Sequence, residues 1–204
     1  RGQPCDFSWP DQVIRRVQES KVDLLVVFDG VPDWACGGAA GAGAGPRVPD
    51  RASAEAFADF VRRFVERYDR DGRDDMPKLA APVTAFQFIC EMEDIPPAEY
   101  AWWLKLFRSA IKSANPKATV VLGGLRSPGL KAFDQPNGDY PDYFERLLSD
   151  PELSGPGYPH FDVVAFDCFP TRYPGHSPFD EPMAYLNQTM AAHKLNQPIW
   201  LTAF

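Results

Sequence analysis

The chain has 204 residues, of which 45% are apolar and 24% charged, and this composition is ordinary for one globular domain with a single core. The formal net charge of −7 argues against nucleic acid or an anionic membrane surface as a partner, so a neutral ligand is easier to accommodate. We also expect no membrane partner, because no uninterrupted apolar segment approaches the roughly 20 residues that a membrane helix needs.

The pattern of apolar residues predicts strands that alternate with helices along most of the chain. The predicted strands are residues 22–28, 83–90, 119–125, 161–169 and 198–204. The predicted helices are residues 11–20, 54–68, 98–114, 140–149 and 182–194. The Gly- and Ala-rich residues 37–46 are a loop insertion within this pattern, not a domain boundary. Five strands joined by helical crossovers require a largely parallel sheet.

The cysteines and histidines form no metal-ligand pattern. The four cysteines are widely spaced and include no CxxC pair, and the three histidines lie among prolines or in a helix. We therefore predict no metal and no cofactor. Cys90 and Cys168 lie at the ends of apolar runs and are expected to be small buried residues.

The predicted strand 83–90 is followed by three carboxylates. Glu91 comes directly after the apolar run, at the end of a parallel strand where sites are usually built. Glu93 and Asp94 come just before two prolines and a helix, where the helix dipole favours acidic residues without any function. We prefer that interpretation for Glu93 and Asp94 over a metal cluster, and take Glu91 as the leading site candidate.

The order of these motifs resembles the (β/α)8-barrel retaining glycoside hydrolases with catalytic glutamates on strands four and seven, the clan of family 39 xylosidases and family 5 cellulases. Phe-Ser-Trp-Pro-Asp at 7–11 looks like the start of their second helix, and Val-Pro-Asp-Trp-Ala at 31–35 looks like the motif after strand three. Ile-Cys-Glu-Met at 89–92 stands where they have Asn-Glu-Pro. Residues resembling strands five, six and seven are 121–125, 162–169 and 199–204.

The resemblance implies a partial TIM barrel of about five parallel strands, three to seven, with outer helices. Residues 1–204 would be a single barrel domain truncated at both ends, with Glu91 as acid/base and a carbohydrate as ligand. Secretion is consistent with a protein that acts on a polysaccharide.

Four residues depart from the pattern of that family. The asparagine before the acid/base is Cys90, the strand-six histidine is Asp167, the strand-six tyrosine is Phe169, and the nucleophile position is Ala203. A retaining enzyme needs two carboxylates about 5–5.5 Å apart, so the resemblance implies that the retaining mechanism cannot run as written. Asp167 has two interpretations: a second carboxylate in an altered mechanism, or a cap for the loop that follows.

Two functions remain open at this point. The chain is either a glycoside hydrolase-like protein acting on an oligo- or polysaccharide, or a catalytically inactive pseudoenzyme that binds one. Trp34, Phe169 and Trp200 could supply the flat apolar faces on which sugars stack. Trp102 and Trp103 are expected instead to pack as residues of their helix.

Overall fold

The computed structural model describes residues 5–32, 35, 48–90, 92–126, 128–129, 142–168, 177 and 179–203. Its helices are α1 (Ser8–Glu19), α2 (Ala54–Tyr68), α3 (Pro97–Ala114), α4 (Tyr143–Ser149) and α5 (Asp180–Ala192). Its strands are β1 (Leu25–Phe28), β2 (Ala85–Phe88), β3 (Thr119–Val121), β4 (Leu125–Arg126), β5 (Val164–Asp167) and β6 (Ile199–Ala203). Short 3-10 helices cover Arg51–Ser53 and Met92–Asp94.

All strand pairs among the described residues are parallel, and each pair joins two strands that are consecutive in the chain. β1 pairs with β2 and β2 with β3, while β4 pairs with β5 and β5 with β6. A parallel bridge between Val121 and Val163 joins the two sheets. This winding in one direction is that of a (β/α) barrel, since a doubly wound sheet reverses its strand order.

The predicted α/β class with five parallel strand positions is therefore confirmed. The third predicted strand, 119–125, is wrong in one respect, because it is interrupted at residues 122–124 and forms β3 and β4. Glycine occupies two of these three positions, 123 and 124.

The main core lies between the sheet and the helices. Ring centroids of Phe28 and Phe88 lie 5.3 and 5.2 Å from that of Phe107 on α3, and Phe57 of α2 meets Trp103 edge-on at 5.5 Å. Full burial of one such aromatic side chain, as at Phe88 and Phe107, contributes about 1.5–3 kcal/mol. The expectation that Trp103 packs in the core is confirmed, since it has no exposed surface.

The opposite face of the sheet, which would face the interior of a barrel, carries small side chains. Ala85, Val121, Val163 and Ala165 form a separate buried cluster there. This face is called the inner face below. Within the described residues, β1 and β6 each have one strand neighbour, and Val27, Trp200 and Leu201 on these edge strands are 37–42% exposed.

Helix α1 is fixed to α2 through Asp11. The Asp11 carboxylate accepts hydrogen bonds from Arg67 Nε at 2.8 Å and from the Tyr68 hydroxyl at 2.7 Å. The Arg67 guanidinium holds the pKa of Asp11 below its usual range. Within the described part of the chain, no helix is both long and apolar enough to cross a membrane.

Candidate functional site

Asp167 and Ala203 lie side by side where β5 and β6 end. Their Cα atoms are register partners, and a bulge in the ladder leaves Thr202 as an extra residue beside them. The Thr202 hydroxyl donates to Asp167 Oδ1 at 2.6 Å. Two positions earlier, Ala165 belongs to the inner-face cluster, so strand alternation places Asp167 and Ala203 on the inner face as well.

Gly124 makes room for the Asp167 carboxylate. A Cβ atom at position 124 would overlap both carboxylate oxygens of Asp167, whose side chain is buried. Gly123 is equally constrained, because a Cβ there would lie 2.8 Å from the carbonyl oxygen of Ile89. Both glycines therefore lie where another group approaches the backbone too closely for a side chain.

The chain turns sharply where β2 ends. Ile89 has a φ of 63°, in the left-handed region, which is a strained conformation for a β-branched residue. In an extended strand Phe88 and Ile89 would face opposite sides, but both lie in the core between sheet and helices. The predicted strand 83–90 was therefore too long, and Cys90 is turned toward the inner face.

Gln87 lies on the inner face beneath this turn. It pairs in register with Val27 and Val121, and its side chain is only 1% exposed. Its amide nitrogen donates to the Ile89 carbonyl oxygen at 3.3 Å and lies 3.9 Å from the sulfur of Cys90. Within the described residues the Gln87 amide oxygen accepts no hydrogen bond. A buried acceptor of this kind usually serves a bound water or ligand group.

Glu93 and Arg126 form a buried ion pair behind the turn. Both side chains are 4–5% exposed, and Arg126 Nε lies 3.5 Å from Glu93 Oε2, which is an ion-pair distance but long for a hydrogen bond. The backbone N–H of Arg126 donates to Glu93 Oε1 at 2.5 Å, and its guanidinium donates to Asp94 at 3.1 Å. The prediction that Glu93 serves only to start a helix is wrong, because burial requires it to have a partner.

Two buried tyrosines hydrogen-bond to the backbone just before and just after this turn. The Tyr100 hydroxyl donates to the Phe88 carbonyl at 3.0 Å and accepts from the Gly123 N–H at 2.9 Å. The Tyr143 hydroxyl donates to the Ile95 carbonyl at 2.8 Å. Burial raises the pKa of both tyrosines, so both remain neutral donors at ordinary pH.

The structure brings some of the predicted site residues together. Asp167 and Ala203 meet at the carboxyl edge, and Cys90 lies near Gln87. Trp200 is a register partner of Ala165, so it also lies on the inner face. It is one inner-face position nearer the amino ends of the strands than the pair of Asp167 and Ala203. Three further predicted residues, Glu91, Trp34 and Phe169, lie outside the described residues.

Three residues of this edge were missed by the sequence analysis: Gln87, Thr202 and Arg126. The available signal was a polar residue inside or at the end of an apolar run, as in the Ala-Phe-Gln-Phe sequence of β2. Cys168 is buried as expected, and burial raises the pKa of its thiol, whereas Cys90 is half-buried. Trp102 lies under the Arg51 guanidinium, 4.4 Å from its ring centroid.

Among the described residues, one group of carboxylates is close enough to hold a cation. Oxygen atoms of Asp69, Asp71 and Asp75 lie within 4.8 Å of one another, in the turn that follows α2. This turn precedes β2 and so belongs to the amino edge of the sheet. Asp69 and Asp75 already accept backbone N–H groups of the turn, which is ordinary turn chemistry.

Comparison with known proteins supports the fold. No protein-family model matches the chain, and no curated protein matches it. Among solved structures, it is similar to the endo-1,4-beta-mannanase from Rhizomucor miehei, with a TM-score of 0.56 and 14% sequence identity. The alignment covers 95% of this chain and 57% of the mannanase chain, so this chain spans little more than half of that protein. At this identity the likeness shows the fold alone, which is that of a partial (β/α) barrel.

Proposed function

We propose that this chain is a glycoside hydrolase-like protein that takes an oligo- or polysaccharide at the carboxyl edge of its parallel strands. Glu91 holds the acid/base position and Ala203 the nucleophile position. The observation that carries the proposal is the register of Asp167 with Ala203, which puts a carboxylate and the open nucleophile position together on the inner face of this edge. The likeness to a mannanase supports the same class of ligand.

The chemistry of this edge suits a neutral, hydroxyl-rich ligand. Carboxylate, amide and hydroxyl groups of Asp167, Gln87 and Thr202 are the groups with which proteins bind sugar hydroxyls. Flat apolar faces from Trp34 and Phe169 would complete such a site by stacking. The formal net charge of −7 disfavours a polyanionic polysaccharide.

The second candidate is a carbohydrate-binding protein without catalytic activity, and Ala203 favours it. A methyl group cannot attack an anomeric carbon, and removal of a nucleophile costs on the order of a millionfold in rate in other hydrolases. Both candidates require sugar binding at the same place, so binding is the first property to test.

The binding test uses two phenylalanine substitutions on one strand. We expect Ala203→Phe to fill the site and to weaken binding of manno-, xylo- or cello-oligosaccharides by at least about tenfold in isothermal titration calorimetry, a loss of about 1.4 kcal/mol. Leu201→Phe is the matched control, because Leu201 pairs with Phe166 on the other face of β6 and is 42% exposed. Equal affinity of both variants for the sugar, or no sugar binding by the unaltered chain, would contradict the proposal.

We also propose that residues 1–204 form one partial barrel domain. The described strands form a single parallel series, joined by the bridge between Val121 and Val163. The alignment of 95% of the chain with 57% of one barrel protein supports a partial barrel. Unfolding in urea in a single transition, monitored by circular dichroism and by tryptophan fluorescence, tests this arrangement.

A further inference from the structure

We propose that a second site, formed by Arg108, Gly157 and His160 on the helical side of the sheet, binds a phosphate group. It is called the outer anion site below. Residues 154–160 lead into β5 from its amino end, whereas the proposed sugar site lies at the carboxyl edge of the strands. The outer anion site is therefore separate from the sugar site and does not depend on the proposed function.

Three cationic side chains lie along one face of helix α3. Lys105, Arg108 and Lys112 follow one another at intervals of three and four residues, which places them on the same side of a helix. Lys105 Nζ lies 3.2 Å from Glu152 Oε1, and Lys112 Nζ lies 2.8 Å from Asp162 Oδ2. The chain segment beside the helix thus supplies a carboxylate to the first and to the last of the three cations.

Arg108, the middle cation, has a histidine beside it instead of a carboxylate. Within the described residues, the buried Nε atom of Arg108 has no hydrogen-bond partner, and no carboxylate forms an ion pair with this guanidinium. The His160 side chain is 7% exposed, and in the same part of the chain its Nε2 atom has no partner either. Two groups that can both be positively charged therefore lie together without a carboxylate of their own, and a bound anion would stabilise this arrangement.

Gly157 leaves a space that both side chains border. A Cβ atom at position 157 would lie 3.1 Å from Cε1 and 3.2 Å from Nδ1 of His160, and 3.5 Å from Nη1 of Arg108. Gly157 is exposed, so this space is open to solvent, and its φ of 92° favours glycine over any residue that would fill the space. An anion beside Gly157 would therefore meet the guanidinium and the imidazole ring together.

The two side chains suit a phosphate group. A guanidinium binds two oxygens of a carboxylate or a phosphate through parallel N–H donors. These two bonds use both oxygens of a carboxylate, whereas a tetrahedral phosphate has a further oxygen for a donor on another side, such as the imidazolium ring. The formal net charge of −7 disfavours a polyanion, so the ligand is a single phosphate group, either free or in a monoester.

Binding should be coupled to protonation of His160. Burial lowers the pKa of His160, and Arg108 and Lys105 on the facing helix lower it further, while the Leu153 carbonyl acts in the opposite direction. A phosphate beside the ring stabilises its charged form and so raises this pKa. Because such coupling is reciprocal, phosphate should bind more tightly as the pH falls.

The test is an NMR titration of the His160 ring against pH in deuterated bis-Tris, with and without inorganic phosphate and with sodium chloride added to equal ionic strength. We expect saturating phosphate to raise the midpoint by about 0.5 pH unit or more, which means about threefold tighter binding to the protonated ring. Arg108→Gln should abolish this rise. Lys112→Gln is the matched control, because it removes a cation from the same helix face that already has Asp162 as its partner, and it should leave the rise unchanged.

Glucose 1-phosphate in place of inorganic phosphate separates the two sources of the group. An equal or smaller rise with the ester assigns the site to free phosphate, and a larger rise assigns it to a monoester. A midpoint that does not depend on phosphate, or an equal rise in Arg108→Gln, would overturn the proposal. Should Arg108→Gln fail to fold, the unaltered chain still decides, since a rise that sodium chloride reproduces at the same ionic strength would show general screening and no site.

Discussion

Asp167 and Ala203 are register partners at the ends of two neighbouring parallel strands, so a buried carboxylate lies beside the residue that we propose to stand at the nucleophile position of a retaining glycosidase. The two residues lie in separate predicted strands, and only the register of the sheet shows that they meet. Their meeting is the basis for the sugar site that we propose at this edge.

The fit between Gly124 and Asp167 can be measured by a double-mutant cycle. Gly124→Ala should lower the free energy of unfolding by about 1–3 kcal/mol, because the new methyl group overlaps the carboxylate. In an Asp167→Ala background the same substitution should cost less, because the overlapping atoms are gone. Urea unfolding of the four proteins gives the coupling energy, and equal costs in both backgrounds would show that the overlap is not the cause.

Arg126 should be strongly coupled to Glu93. Arg126→Met leaves the buried Glu93 carboxylate without its main counter-charge, and such a change typically costs about 3–5 kcal/mol. Adding Glu93→Gln should recover part of this loss, since the neutral amide oxygen can still accept from the Arg126 backbone N–H. Thermal unfolding monitored by circular dichroism compares the two variants. A double variant less stable than Arg126→Met would contradict this assignment.

Asp11 should make the chain sensitive to acid. Its pKa is lowered by Arg67, so its contribution is fully present above the unfolded-state pKa of about 3.9 and is lost as the pH falls through the lower folded-state pKa. Asp11→Asn should therefore cost about 1–3 kcal/mol near pH 7 and progressively less at pH 3 and below. The check is to measure the free energy of unfolding of both proteins as a function of pH. A difference between them that does not change with pH would contradict this prediction.

The folded chain favours the charged form of Asp11, whereas it should favour the neutral ring of His160. Burial, with Arg108 and Lys105 nearby, lowers its pKa, so the stability it contributes falls as the pH drops through the unfolded-state value of about 6.5. An NMR titration should place its midpoint below 6.5, and Arg108→Ala should raise that midpoint. A midpoint at or above the ordinary histidine value would contradict the effect of burial.

Much of the fold could be predicted, because it depends on patterns within single elements. Helix 54–68 was placed with its observed bounds, since its apolar stripe has the helical period over its full length. The end of β2 could not be predicted, because alternation gives no sign that Ile89 leaves the extended conformation. The pairing of Glu93 with Arg126 was also beyond the sequence, since it depends on a contact between a short 3-10 helix and strand β4, which are more than 30 residues apart in the chain.

The central claim is that sugar binds at the carboxyl edge of the parallel strands, and NMR titration of the backbone amides with the best-binding oligosaccharide tests it most directly. The account predicts shift changes that saturate together at Gln87, Cys90, Asp167, Thr202 and Ala203, with little change at the Asp69–Asp75 turn on the amino edge. Saturating shifts confined to that turn or to the outer helices, with none at Asp167 and Ala203, would contradict the account.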